Sequence, residues 1–170
     1  MDAKVKELVD ALRAAMQGER TGYEFYKMAA TSTKDPSGKK VFEQLASEEQ
    51  THFDFLSKHY KALLEKGELA KGLSLGKAGK IAVDHPIFSA DLKARIKGAH
   101  FEMSALAIAA QLELNGINHY REQAARAHSP EARKFFQELV DWESGHYDAF
   151  VRQQQELQEA YWNEAGFSPF

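Results

Sequence analysis

Phe42-Glu43-Gln44-Leu45-Ala46-Ser47-Glu48-Glu49-Gln50-Thr51-His52-Phe53-Asp54-Phe55-Leu56 is the stretch whose reading decides the fold. Phe42, Leu45, Glu49, His52 and Leu56 recur at steps of three and four, and His59 and Leu63 continue the series. That spacing places all of them on one face of a helix. The ends of the face are apolar, so it should point at a core, yet Glu49 and His52 sit at its centre. A second stripe repeats the pattern with Phe136, Leu139, Glu143, His146, Phe150, Gln153 and Leu157.

Both stripes belong to a longer repeat. With residues 19–54 laid over 113–148 without a gap, 11 of 36 positions are identical. Among them are Glu19/Glu113, Gly22/Gly116, Tyr26/Tyr120, Pro36/Pro130, Glu49/Glu143 and His52/His146. The repeated unit reads as a helical hairpin, and two hairpins can pack about an approximate two-fold axis to close one core.

Helix boundaries follow from local chemistry. The first helix should run from about Asp2 to Thr31, with Val5, Leu8, Leu12, Ala15, Tyr23 and Tyr26 on its apolar side. Asp35-Pro36 then reads as an N-cap followed by proline at the first helical position. The second helix runs to about Lys66 and stops at Gly67. The third begins near Ser89 and reaches about Ala127, and Ser129-Pro130 starts a fourth that ends near Glu164. Between helices two and three, residues 67–89 contain Gly72, Gly76, Gly79 and Pro86. A helix of about 30 residues is about 45 Å long at 1.5 Å per residue, so this connection can run the length of the bundle. Ile81, Val83, Ile87 and Phe88 would anchor it, with His85 in a structural turn at Asp84-His85-Pro86. The expectation is one all-α domain over residues 1–170. It comprises hairpin 2–66, crossover 67–89, hairpin 90–164 and tail 165–170, with helices two and three roughly parallel.

Composition excludes several functions. An apolar share of 44% and a charged share of 28% are ordinary for a soluble globular chain. A net charge of −3 leaves no footprint for nucleic acid or an anionic membrane. The longest apolar stretch, around Ala105–Ala110, is too short to span a bilayer, and the N-terminus does not read as a secretory signal. The absence of cysteine removes disulfides, thiolate metal sites and thiol catalysis, and makes the cytoplasm the default location.

The inward carboxylates carry the chemistry. Glu19 falls between Leu12, Ala15 and Tyr23, Tyr26, and Glu113 between Leu106, Ala109 and Ile117, Tyr120. Four buried glutamates must protonate, pair with cations or bind metal. No Lys or Arg lies on these central stretches. Two divalent ions would cancel the four negative charges, with neutral imidazoles completing the set. Each Glu-x-x-His places both side chains on one helix face, able to address one metal centre together. One Glu from each of two helices plus Glu-x-x-His from each of two others is a known di-metal set. Its oxygen and imidazole donors suit iron or manganese without excluding zinc. Tyr26 and Tyr120, seven residues after Glu19 and Glu113, either hydrogen-bond carboxylates across the site or fill the core. Glu48 reads as a residue flanking the site, and His59, opposite Gln153 in the repeat, as a polar residue at the bundle end. Asp54, Asp148, His100, His119 and His128 read as surface residues.

At Gly18-Glu19-Arg20-Thr21-Gly22-Tyr23-Glu24-Phe25-Tyr26, Glu48-Glu49-Gln50-Thr51-His52, Glu113–Tyr120 and Glu143-Ser144-Gly145-His146, the chain resembles the rubrerythrin-like branch of the ferritin-like superfamily. The resemblance covers the four helices. It implies a ferritin-like four-helix bundle with one long crossover and a non-haem di-iron centre. Glu49 and Glu143 would bridge the metals, Glu19 and His52 would complete one site, and Glu113 and His146 the other. Tyr26 and Tyr120 match tyrosine positions of the family. A full rubrerythrin adds a cysteine-ligated rubredoxin domain, which is not expected here. Rubrerythrins also carry an extra helix-three glutamate, whose places here hold Ala110 and Gly116. The six-ligand set is similar to the bacterioferritin ferroxidase centre, but Gln50 stands where bacterioferritin has its haem methionine, so no haem is expected. Three functions follow as expectations. The first is a di-iron enzyme acting on O2 or H2O2 with an external electron donor. The second is iron handling by ferroxidase chemistry, in a homodimer or larger oligomer. The third is a structural bundle that docks partners through the tail aromatics Tyr161, Trp162, Phe167 and Phe170, although these are expected to pack on their own bundle.

Overall fold

The computed structural model describes residues 2–76 and 86–167, so Gly79, Ile81, Val83, His85 and Phe170 lie outside the described residues. The described residues are helical throughout, with no strand among them. Helix α1 spans Ala3–Ser32 and α2 spans Pro36–Lys66. A short α3 (Ala90–Ala94) and a 3-10 turn (Ile96–Gly98) precede α4 (His100–Arg126) and α5 (Pro130–Ala165).

The helix ends are built as their sequences require. Asp35 caps α2 by accepting the Gly38 amide at 2.8 Å, with Pro36 following. Ser129 caps α5 by accepting the Ala132 amide at 3.1 Å, again before a proline. Gly67 and Gly166 end these two helices at φ 71° and 67°, a left-handed conformation that costs glycine little.

Contacts between helices fix the directions. Glu19 meets His52 and His146 approaches Glu113, as short hairpin connections demand. Tyr26 bonds Glu113 while Tyr120 bonds Glu19, so α1 and α4 are antiparallel neighbours. Glu48 meets His146 and Phe55 stacks on Phe135, so α2 and α5 are antiparallel too. Helices α2 and α4 are therefore diagonal and parallel, which is why the connection between them must cross the bundle. The end of that crossover is tied down. Gln153 Oε1 accepts the amides of Ile87 (2.6 Å) and Phe88 (3.3 Å), and Asp35 accepts the Ser89 amide at 3.2 Å. Phe88 packs against Gly38 so closely that a Cβ there would lie 2.3 Å from its ring.

The third helix differs from expectation. Instead of one helix from Ser89, the chain breaks at Arg95–Ala99. Leu92, Ile96 and Ala99 are all buried and keep helical spacing, so periodicity does not betray the break. Gly98 is the local weak point, costing a helix interior about 1 kcal/mol relative to alanine. Lys93–Glu156 (2.7 Å) and Lys97–Glu164 (3.2 Å) accompany the packing of the turn on α5.

A polar layer divides the core. One apolar cluster gathers Tyr26, Phe42, Phe88, Leu106, Phe150 and Leu157. The other gathers Leu12, Leu56, Leu63, Ile117, Tyr120 and Phe136. All four long helices contribute to both. Between the clusters lie Glu19, Glu49, His52, Glu113, Glu143 and His146. Among the described residues no helix is long and apolar enough to cross a membrane.

Candidate metal centre

Each long helix delivers its ligand candidates from mid-length. Helix α1 supplies Glu19, α2 supplies Glu49 and His52, α4 supplies Glu113, and α5 supplies Glu143 and His146. All six are buried. Ligand atoms of Glu49, Glu113, Glu143 and His146 lie within 4.8 Å of one another, as do those of Glu19, Glu49 and His52. Glu49 belongs to both groups. Glu143 joins them as well, because its Oε1 is 3.2 Å from His52 Nδ1 while its Oε2 is 3.6 Å from His146 Nδ1. His52 Nδ1 also lies 3.2 Å from Glu19 Oε2.

The tyrosines make a reciprocal pair. The Tyr26 hydroxyl donates to Glu113 Oε1, and the Tyr120 hydroxyl donates to Glu19 Oε1. Each thus reaches from its own helix to the carboxylate on the other. Burial, followed by the neighbouring carboxylates, holds both phenols well above their ordinary pKa, so they remain donors.

Electrostatics mark the cluster as a cation site. Burial and the carboxylates of Glu19, Glu113 and Glu143 push Glu49 well up. Burial, then Glu143, raises Glu113 to about 8. Burial opposes charge on Glu143, but His52 and His146 outweigh it and hold that carboxyl well below its usual value. Burial likewise opposes charge on His52, yet Glu143 and Glu19 lift it to about 10. His146 is lifted well above its ordinary value, where Glu113 leads the terms that overcome burial. In the absence of cations, then, the layer is held together by protons on Glu49, Glu113 and the imidazoles. Metal binding would displace them. Glu49 Oε1, Glu143 Oε1 and His146 Nδ1 are buried without a hydrogen-bond partner among the described residues. Buried polar atoms are seldom left so. Hard oxygen and imidazole donors, converging with unused acceptor capacity, fit a pair of divalent ions.

Outside the ligands the two histidines differ. His146 Nε2–H donates to Glu48 Oε2 at 2.8 Å. Burial works against charge on Glu48, but the bonds from His146 and Gln44 prevail and keep its carboxyl below the ordinary value. His52 instead meets the indole of Trp142 edge-on, with ring centroids 5.0 Å apart. Its Nε2 has no hydrogen-bond partner among the described residues.

A cleft of about 340 Å³ opens between α1 and α4 and reaches Glu19, Glu49 and Glu113. Ala15, Gly18, Gly22 and Gly116 line its walls. A Cβ on Gly22 would sit 2.9 Å from Glu49 Oε2, so only glycine leaves that carboxylate its place. At Gly116 the nearest atom to such a Cβ is Glu143 Cγ at 3.8 Å, an ordinary contact.

Some residues sit elsewhere than expected. His59 is not at a polar bundle end. It is buried between Phe55 and Phe135, with ring centroids 4.5 and 4.7 Å away, and neither nitrogen has a partner among the described residues. Burial lowers its pKa to about 4. His119 is half-buried and its Nε2 lies 3.1 Å from the Ala11 carbonyl. Asp54, Asp148, His100 and His128 are exposed. In the tail, Tyr161 packs on the core, whereas Phe167 stays exposed against Trp162. Glu102 is a buried carboxylate the stripes do not reveal, accepting a bond from Thr33 Oγ1 at 2.8 Å. It serves the α1–α4 end contact and lies apart from the six.

Comparison with curated proteins and with solved structures returns no significant match. A family model described as Rubrerythrin matches residues 10–154, which span all six converging ligand candidates. With its ferritin-like helical bundle and its buried layer of carboxylates and imidazoles, the chain belongs to the rubrerythrin family, a ferritin-like di-iron family.

Proposed function

We propose that the chain is a non-haem di-iron oxidoreductase that reduces H2O2 or O2 with electrons from an external donor. The observation that carries this reading is the meeting of four buried carboxylates and two imidazoles at one small cleft. Glu49 and Glu143 would bridge, with Glu19 and His52 completing one metal position and Glu113 and His146 the other. A ferrous pair held by these residues would supply two electrons, which with two protons would convert H2O2 to two waters, and the external donor would restore the electrons. The protein's part is positioning. Tyr26 and Tyr120 each hold one outer carboxylate by a hydrogen bond, which limits the rotations open to it. The small residues of the α1–α4 cleft admit a diatomic or peroxide-sized molecule, while the apolar clusters on either side keep bulk water away. A cytoplasmic location belongs to the same reading, supported by the absence of cysteine.

The test is peroxide consumption by iron-loaded protein with a supplied reductant. Replacing a bridging ligand should do more harm than the 10–100-fold typical of outer partners. Glu49→Ala and Glu143→Ala should therefore each lose about 100-fold or more, and full activity in either would sink the proposal.

One observation favours a second reading, ferroxidase chemistry in iron handling. No carboxylate stands beside Glu113 on the cleft side of α4, where Gly116 leaves open wall. A large assembly accumulating many irons per chain would decide for that reading, whereas turnover at about two irons per chain would decide for the enzyme.

A further inference from the structure

The shift of 94 that relates the two Glu-x-x-His motifs also relates Glu48 to Trp142. These residues occupy the same place relative to the site and perform opposite tasks. Glu48 reaches across from α2 to accept the Nε2–H of His146 at 2.8 Å. Trp142 reaches across from α5 to His52, but its indole can donate and cannot accept a conventional hydrogen bond. His52 Nε2 is therefore left buried and unpartnered among the described residues. A carboxylate on the far nitrogen of a ligating imidazole fixes its tautomer and ring orientation and makes the near nitrogen a stronger donor. His146 has that support and His52 lacks it.

The ligand geometry is unequal in the same sense. Ligand atoms of Glu49, Glu113, Glu143 and His146 lie within 4.8 Å of one another on one side, and those of Glu19, Glu49 and His52 on the other, where Glu143 is drawn onto His52 itself. On the first side His146 Nδ1 stands 3.7 Å from Glu113 and 3.6 Å from Glu143, with no hydrogen bond to either. On the second, His52 Nδ1 is drawn to 3.2 Å from both Glu19 and Glu143. An ion entering there must part closer contacts of the histidine than on the first side.

We infer that the two metal positions are unequal and fill in order. The position at Glu113 and His146 takes its ion first and holds it, and the position at Glu19 and His52 is the weaker, exchangeable one, with the Glu48/Trp142 difference setting the gap. The inference rests on the di-metal reading. Glu48 and Trp142 are positioning residues that act through the histidines. The gap should be about 10- to 100-fold in dissociation constant, the range over which such outer partners alter metal affinity.

Titration of metal-free protein with Co(II), followed by calorimetry and by the visible spectrum of the bound ion, reads this without any turnover assay. Wild-type protein should bind one ion tightly and a second about 10- to 100-fold more weakly. His146→Gln should remove the tight step and His52→Gln the weak one. Glu48→Gln, nearly isosteric and at a partly exposed position, should weaken the tight step about 10-fold and leave the weak one in place. Trp142→Glu, if it folds by circular dichroism, should strengthen the weak step and draw the two together. Two equal steps in wild-type protein, or a Glu48→Gln change confined to the weak step, would overturn the ordering while leaving the di-metal site standing. Failure to bind any ion would overturn both.

Discussion

The two hairpins offer nearly the same ligands and quite different surroundings. Under the shift of 94, Glu19, Glu49 and His52 fall on Glu113, Glu143 and His146, and the tyrosine bonds simply exchange partners. One residue further out the likeness fails. Gly22 is pressed by Glu49, while Gly116 has room. Trp142 stands where Glu48 does, and Gln153, which holds the crossover, stands where His59 lies between two phenylalanines. Duplication has thus kept the groups that must bear charge at the centre. What supports them has diverged wherever each hairpin meets a different neighbour.

Breaking the glycine pair should give the largest effect. Gly22→Ala must shift the Glu49 carboxylate from its place between the two ligand groups, so iron content after loading should fall below the about two per chain expected of the wild type. Gly116→Ala should keep both. Equal iron content in the two variants would refute the crowding at Gly22.

The His59/Gln153 pair separates by pH. His59 sits at about 4 in the folded chain against 6.5 when free. Between those values the unfolded state takes up the proton first, so His59's own contribution to stability should fall as pH drops from 6.5 towards 4, by up to about 3 kcal/mol, while the raised carboxyls of Glu49 and Glu113 pull the other way. His59→Leu should remove that contribution, so that the difference in Tm between variant and wild type grows in the variant's favour as pH falls over this range. Gln153→Leu should instead cost about 1–3 kcal/mol at every pH, because the buried Ile87 and Phe88 amides lose their acceptor. A Tm difference between His59→Leu and wild type that stays constant over this range would rule that contribution out.

The smallest effect should come from the tyrosines, where the hairpins agree. Tyr26→Phe and Tyr120→Phe each remove one hydrogen bond to a buried carboxyl group, and should each cost about 0.5–1.5 kcal/mol in denaturant unfolding of the metal-free chain. Losses differing by more than about 1 kcal/mol would mean that the reciprocal bonds are not equivalent.

The parts legible from sequence were those with a local period. All seven members of the stripe from Phe42 to Leu63 are buried, as are all seven from Phe136 to Leu157. A glutamate and a histidine in the middle of such a face cannot be surface residues, so Glu49, His52, Glu143 and His146 stand out without knowledge of their neighbours, and Glu19 and Glu113 do so from the apolar residues flanking them on their own helices. The partner of Glu48 could not be read in this way, because His146 is on another helix and the pairing depends on how α2 and α5 cross. His59 misled for the related reason that a stripe tells which face is inward and not what lies opposite. The break at Arg95–Ala99 was hidden because Leu92, Ile96 and Ala99 keep the spacing of an unbroken helix, and packing on α5 decides the rest.

The polar layer between the two apolar clusters has a consequence for how the chain comes apart. A continuous core couples its ends directly, so that losing one end loosens the other. Here the two halves meet at a polar layer, with Tyr147 packing against both clusters, and on the proposed reading metal would bind that layer only when all four helices are in register. Each bound ion therefore adds its binding free energy to folding. Loading would on that reading add to the cooperativity of the bundle, tying the two apolar clusters more firmly into one unit.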